Sequence, residues 1–320
     1  MLDQVKNYWL RFVEESGAAW NRFWFAPSRP VGISLARAGL GFALFLYWCS
    51  FLPDPLLWFG GEGLLPIRSW TIGSGSNVET VYRFSLFLLS ENPVYLWLLT
   101  LIGIGSSIAV MVGFGGRISL ATAWIMTLSA VHRVPMFTGL AEPLMTMALP
   151  YLLIGNASGR FSVDRWLRIR SGHVVPPEAT SLNTLSARLL QLHLLFFYLV
   201  MATTQMRFAT WWDGLAAWTM MAGTERDLLD LSFLAPFTFL INALTYGIVI
   251  GEWAFIVLVW NRLARPLVIA GSACFWALML IMSGMVEFSI LMFVLGLVFV
   301  DEEFWEPMSA RRSTHGSPAI

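Results

Sequence analysis

Lysine is almost missing from this chain. Lys6 is the sole one, so nineteen of the 20 basic residues are arginines. A desolvated lysine acting as a base or Schiff-base nucleophile is therefore excluded everywhere except the first few residues. Cysteine is nearly as scarce. Cys49 and Cys274 fall in apolar stretches without CxxC spacing and read as small buried apolar residues. That excludes a disulfide scaffold and a dithiol redox motif. The four histidines, His132, His173, His193 and His315, are scattered, and no pair has the helical spacing of a haem or structural metal site. No metal is expected. Charge is low as well: 12% of residues are Asp, Glu, Lys or Arg and the formal net charge is zero, where a soluble domain carries about 25%. No general attraction to nucleic acid follows, and water is the wrong solvent for most of the chain.

What is present is apolar length: 57% hydrophobic residues, sixteen Trp and a mean hydropathy of +0.66. A membrane span needs about 20 mostly apolar residues. Candidates lie near 30–52, 90–114, 117–133, 138–155, 183–204, 233–260, 266–283 and 287–300. The last is short, and 138–155 contains Pro143 and Pro150. The expected fold is all-α, a polytopic integral membrane helical bundle of about eight transmembrane helices with an N-terminal interfacial helix and short outer-face half-helices. Its parts are an amphipathic helix within 1–28, the transmembrane domain over 29–300, and a tail over 301–320 whose Ser, Arg, Gly and Pro content reads as disordered. In the first part Val5, Trp9, Phe12, Val13, Trp20, Phe23 and Trp24 recur at helical spacing, as in a helix lying in the membrane interface; a partner-binding helix is the competing reading. Asp3, Lys6, Arg11, Glu14 and Glu15 exclude a cleaved signal peptide there.

Orientation follows from charge. With a cytoplasmic N-terminus and eight crossings, the inner face receives Lys6, Arg11, Arg22, Arg29, Arg117, Arg160, Arg165, Arg168, Arg170, Arg262, Arg265, Arg311 and Arg312. The outer face receives Arg68, Arg83, Arg133, Arg207 and Arg226. Thirteen against five obeys the positive-inside rule, so both termini are placed on the cytoplasmic side of a plasma (inner) membrane, in contact with membrane lipid.

The connection 155–184 should carry a short helix around Asp164, Arg165 and Trp166 on the inner surface. Two outer segments are stranger. Pro53 to Trp70 is too apolar for a loop and too broken by Pro and Gly for a span; such backbone survives at membrane depth only if buried in protein or lining a wet cavity. Trp211 to Gly223 reads as a short amphipathic helix anchored by Trp211, Trp212 and Trp218. Together they suggest the lid of a cavity that opens outward or sideways into lipid.

Ionisable residues inside spans are costly and mark partners or function. Arg37 and Arg188 lie close enough to the inner boundary to snorkel. His193 reads as a packing histidine. Glu252 is deep within its span and must be protonated or paired, through an ion pair that fixes packing or through chemistry. An outer cluster is sharper: His132, Arg133, Glu142 and Asp213 come from three spans yet converge on one leaflet. As a catalytic set, Arg133 would clamp an anion or carbonyl, Glu142 or His132 would serve as acid or base, and Asp213 would orient. Gln205, Trp211, Trp212, Glu252 and Glu287 are the ligand-binding candidates. A solvated polar rim is the alternative.

Read in order, these segments carry a resemblance. LARAGLGFALFLYW and WFGGEGLLP (Leu35 to Pro66), VGFGGRIS (Val112 to Ser119), LSAVHRVPMFTG (Leu128 to Gly139), YLLIG and SVDRW (Tyr151 to Trp166) come first. QLHLLFFYLVMATTQ (Gln191 to Gln205), WWDGLAAW (Trp211 to Trp218), GEWAF (Gly251 to Phe255) and EFSILMF (Glu287 to Phe293) follow. Over about 270 residues their order resembles the HTTM ("horizontally transferred transmembrane") family, which includes the membrane part of vitamin K-dependent γ-glutamyl carboxylase. The resemblance implies an outer-face cavity for a lipophile, with a quinone-like molecule as the cofactor class. It also implies a lysine base shortly before a Trp-x-acidic-Gly motif. Here that motif matches Trp211 to Gly214, and the base position falls at Gln205 or Met206. Neither can serve as a base, the histidine that often precedes the family's Phe-Ser motif is replaced near Ile281, and the carboxylase's extramembrane domain has no counterpart. The resemblance therefore implies the cavity without the carboxylation.

Three functions remain from the residues: an outer-leaflet enzyme with other chemistry, a non-catalytic accessory or maturation subunit that binds a peptide or membrane protein partner, and a transporter. The last has the least support, since the paired broken helices of inverted-repeat transporters are missing.

Overall fold

The computed structural model describes residues 2–66, 84–173, 179–222, 231–300 and Phe304. Arg68, Trp70, Arg83, Gly223, Arg226, Arg311, Arg312, His315 and, Phe304 apart, the 301–320 tail lie outside the described residues.

Within the described residues the chain is helical, and the extended pairing is an isolated bridge between Ser28 and Thr180. Helix α1 (Leu2–Phe25) precedes α2 (Val31–Ser50), the half-helix α3 (Pro55–Phe59), α4 (Pro93–Val112), α5 (Gly116–Arg133) and α6 (Ala141–Ile154). After α7 (Val163–Arg170) come α8 (Ser181–Gln205), the short α9 (Ala209–Trp212) and α10 (Ala216–Met221), then α11 (Thr238–Leu258), α12 (Arg265–Ser283) and α13 (Val286–Gly296).

Five of these helices, α2, α4, α8, α11 and α12, are long and apolar enough to cross a membrane, which makes this a multi-pass membrane protein. Five helices meet the length and apolarity of a crossing where eight stretches were expected to. The reasons are local. Helix α5 has the length, 18 residues, but is diluted by Arg117, Ser119, Thr122, Thr127, Ser129, His132 and Arg133. Helix α6 starts only after a 3₁₀ turn at Pro135–Phe137; its 14 residues rise about 21 Å, short of a hydrocarbon core of about 30 Å. Gly284, with φ +62°, ends α12 and leaves 11 residues for α13. The span expected from 233 begins at Thr238, because the chain first makes a 3₁₀ turn at Ser232–Leu234 and Pro236 has no amide to donate.

The bundle closes on itself. Helix α2 packs on α4, α4 on α5, α5 on α6, α6 on α8, α8 on α11, α11 on α12, α12 on α13, and α13 returns to α2. Glycine sets the tightest contact: a Cβ at Gly103 of α4 would overlap the Trp48 ring of α2, and one at Gly41 would overlap the Met111 backbone. Small residues that let backbones approach are the usual device for packing in lipid, where apolar burial gives little drive between helices.

Two buried arginines tie off opposite ends of the bundle. Arg37, 1% exposed, donates to the carbonyls of Val110, Met111, Ala157 and Phe161, with Asp164 as counter-charge. It does not snorkel; it ties Met111 O and Val110 O at the end of α4, the latter shared with the Gly113 amide, to Ala157 O and Phe161 O of the loop after α6. At the other end Arg133, fully buried, donates through Nε to Phe59 O at 3.2 Å and through Nη2 to Gly60 O at 2.8 Å. Its counter-charge is Glu91. These bonds hold α3, whose start is capped by Asp54 accepting from Leu57 N at 3.0 Å. Phe59 is buried and stacks on Phe87, with ring centroids 4.1 Å apart. The described part of the first odd segment thus holds a half-helix pinned to the bundle through Pro55 and Phe59, with Leu57 and Leu64 exposed.

Helix α7 forms where expected, with Ser162 accepting from Arg165 N and Asp164 accepting from Gly115 N. Arg188 of α8 donates to Phe23 O and Gln191 Oε1 and stacks over Phe23 and Trp260, fastening the end of α1. His193 packs edge-on against Tyr151. The rest of α1 stands clear, with Tyr8, Trp9, Phe12, Val13 and Trp20 each at least half exposed.

Candidate functional site

The most developed polar constellation lies inside the bundle, between α8, α11 and α12. Helical periodicity places its members. Tyr198 and Gln205 are seven apart on α8; Gly247 and Gly251 are four apart on α11, followed by Glu252 and Phe255; Gly271, Ser272, Phe275 and Trp276 cluster on α12. All of these except Gln205 and Trp276, which stand behind the wall, line a cavity of about 250 Å³ with mainly apolar surface. Its glycine wall is open: a Cβ at Gly247, Gly251 or Gly271 would meet nothing within 4 Å. All three glycines lie on the exposed side of the bundle. The cavity therefore opens sideways, toward lipid.

Its polar groups form two sets. Trp276 Nε1 donates to the Tyr198 hydroxyl at 2.6 Å, and that hydroxyl lies 3.0 Å from Ser272 Oγ. Gln205 Nε2 donates to Glu252 Oε1 at 3.0 Å. Glu252 is 2% exposed and Gln205 7%, yet Glu252 Oε2 and Gln205 Oε1 have no hydrogen-bond partner. Two unpaired oxygens in an apolar interior are unusual, since each buried unsatisfied polar group costs about 1–3 kcal/mol.

A second, wider cavity of about 520 Å³ sits at the α3 end, where α6 meets α13. Glu142 and Glu287 both line it and interact electrostatically. Glu142 Oε2 accepts from Gly139 N at 2.9 Å, and buried Tyr47 lies within the field of both carboxylates.

The structure therefore distributes the sequence candidates over separate places. It pairs Gln205 with Glu252 and brings Glu142 to Glu287. His132 Nδ1 lies 2.8 Å from Phe84 O, and Arg133 grips α3, with Nη1 unpartnered. Asp213 is exposed at the end of α9. Trp212 is exposed, its Nε1 donating to Met206 O, while Trp211 packs against the buried Ala217 and Ile241 group. The segment from Trp211 is two short helices rather than one, broken at Gly214, where φ is +76°. It docks on α11 and α12. Thr245 Oγ1 accepts from Ala217 N and bonds Gly214 O at 2.8 Å, and Tyr246 donates to Trp212 O.

Tyr198, Ser272, Trp276 and the glycine wall were not singled out from the sequence. The available signals were polar residues in mid-span on two helices and the GIVIG spacing of Gly247 and Gly251. No family model, curated protein or solved structure matches the chain. Among the described residues, no three His, Cys, Asp or Glu side chains converge as a metal site would require.

Proposed function

We propose that this protein binds a lipophilic ligand in the lateral cavity between α8, α11 and α12, with the polar head against Glu252 and the apolar body toward the lipid. The observation that carries the reading is the combination of a glycine wall open to the exposed side with a buried, incompletely satisfied Gln205–Glu252 pair behind it. Ligand sites are typically concave, mostly apolar, and polar at a few placed groups.

The motif order supports an HTTM-type membrane domain for the chain, with a quinone-like lipophile as one candidate ligand class. The arginine asymmetry supports eight crossings with both termini cytoplasmic. The missing lysine argues for ligand binding over carboxylation. A partner-binding accessory role has its own support in α1, whose aromatic residues stand exposed.

The test is mass spectrometry of molecules retained after gentle extraction from the native membrane. The expected result is one lipophile at near-stoichiometric amount in the wild type, lost from Gly251→Leu, whose new side chain fills the opening. Bulk lipid alone in both proteins overturns the reading. A discrete partner protein, retained by the wild type and lost on deletion of residues 1–25, moves the chain to the accessory class.

A further inference from the structure

We infer that the lateral cavity selects an amphiphile with a primary ammonium head, an inference that rests on the cavity being a ligand site. The argument is a count of donors and acceptors. Trp276 N–H is spent on Tyr198, and Gln205 Nε2 is spent on Glu252 Oε1. Tyr198 and Ser272 share one hydroxyl–hydroxyl bond in which either oxygen can donate, so the pair keeps one proton to give. What the site leaves over at the cavity is Glu252 Oε2, buried, unpaired and an acceptor once the acid is ionised, with Gln205 Oε1 unpaired behind it, and the free lone pairs of the hydroxyl pair.

A head that brings only acceptors, such as a carbonyl, a carboxylate or a phosphate, finds one hydroxyl proton, the acid proton of Glu252 when that group is neutral, and no cation among the lining residues. A hydroxyl brings one donor. A primary ammonium brings three donors and the positive charge that a buried carboxylate requires, since buried charges are paired. A trimethylated ammonium brings charge without donors. The space of about 250 Å³ holds a head and the first methylenes, and the open wall at Gly247, Gly251 and Gly271 lets the rest of the chain run out into lipid. A transmembrane helix laid on the same glycines, as small-xxx-small surfaces allow, would cover the opening but leave Glu252 unpaired behind it. The lipid occupant accounts for both features.

The experiment places full-length protein in phosphatidylcholine nanodiscs and offers dodecylamine, dodecanol, dodecanoic acid or dodecyltrimethylammonium. Retained probe is counted by mass spectrometry, with Gly251→Leu as the background for partition into lipid and thermal unfolding as the check on folding. Dodecylamine is expected to be retained about tenfold more strongly than dodecanol, the difference between a charge-assisted and a neutral hydrogen-bonded head. Glu252→Gln, which keeps the shape and the Gln205 contact, should bring the amine down to the alcohol. The wild-type amine-to-alcohol ratio decides even if Glu252→Gln does not fold. Equal retention of amine and alcohol, both lost in Gly251→Leu, overturns the ammonium inference and leaves the cavity reading standing. Stronger retention of the trimethylated probe than of the primary amine overturns the donor count. No probe above the Gly251→Leu background overturns the cavity reading itself. Dimers that Gly251→Leu converts to monomers would show that a helix occupies the groove.

Discussion

Replacing Arg133 with Met should release α3 while leaving the rest of the bundle folded. The guanidinium is fully buried and bonds two consecutive carbonyls, Phe59 O and Gly60 O. Methionine fills similar apolar volume but donates nothing, so Phe59 O is left without a partner at about 1–3 kcal/mol, while Gly60 O keeps the Gly63 amide and loses a charge-assisted bond of about 1.5–3 kcal/mol. Part of that cost is returned, because the substitution also removes a buried charge whose Nη1 is unpaired. A net loss of about 3 kcal/mol is the working value. Expressed locally, that is roughly a 150-fold rise in the open population, each 1.4 kcal/mol being a factor of ten. The assay is hydrogen exchange read by mass spectrometry over residues 55–66, where the amides of Gly60 and Leu64 bond to Leu56 O and Leu57 O. Those amides should exchange about two orders of magnitude faster in Arg133→Met, while amides of α8 and α11 keep their wild-type rates. Lysine at 133 should rescue only in part, because an ammonium cannot reproduce the guanidinium's planar fork. Unchanged exchange over 55–66 would refute the reasoning and assign the anchoring of α3 to the stacking of Phe59 on Phe87 and Phe51.

Arg37→Met should be more severe, since Met111 O, Ala157 O and Phe161 O lose their donor and Val110 O keeps only the Gly113 amide; a loss of about 4 kcal/mol or more should appear as absence of a monodisperse peak in size-exclusion chromatography. Gly103→Ala should destabilise by about 1–3 kcal/mol through overlap with Trp48. Gly105→Ala, two residues along the same helix with nothing within 4 Å, should leave thermal unfolding unchanged or raise it by up to about 1 kcal/mol equivalent. Thr245→Val keeps the shape but removes the bonds to Ala217 N and Gly214 O; a loss of about 2 kcal/mol should show as faster proteolysis between α9 and α10.

The helical membrane class of this protein was legible from local chemistry. Apolar runs reveal themselves because a helix satisfies its own backbone in lipid whatever its neighbours do. Helix α1, the half-helix after Pro53 and the short helix at Trp166 were readable for a related reason: amphipathic spacing, a Pro and Gly break in an apolar run, and charged residues beside an aromatic act within one or two turns. The span count was less legible, because Pro135 and Gly284 could be seen but the late start of α6 and the break before α13 depend on the turns they enter.

Partnership between distant residues could not be read along the chain. Arg37 looked able to snorkel, and only the meeting of α2 with the end of α4 and the 157–161 loop made four carbonyls its partners. Arg133 looked like a clamp for substrate; folding gives it the carbonyls of α3. Glu252 was recognisable as a costly mid-span acid, but its pairing with Gln205, 47 residues away, depends on how α8 lies against α11. The cavity depends equally on α12, which brings Ser272 and Trp276 to Tyr198. Composition and periodicity state what each helix must bury. Which polar atom is left over after that burial is decided only when three helices meet, because hydrogen bonds saturate and are used up pair by pair.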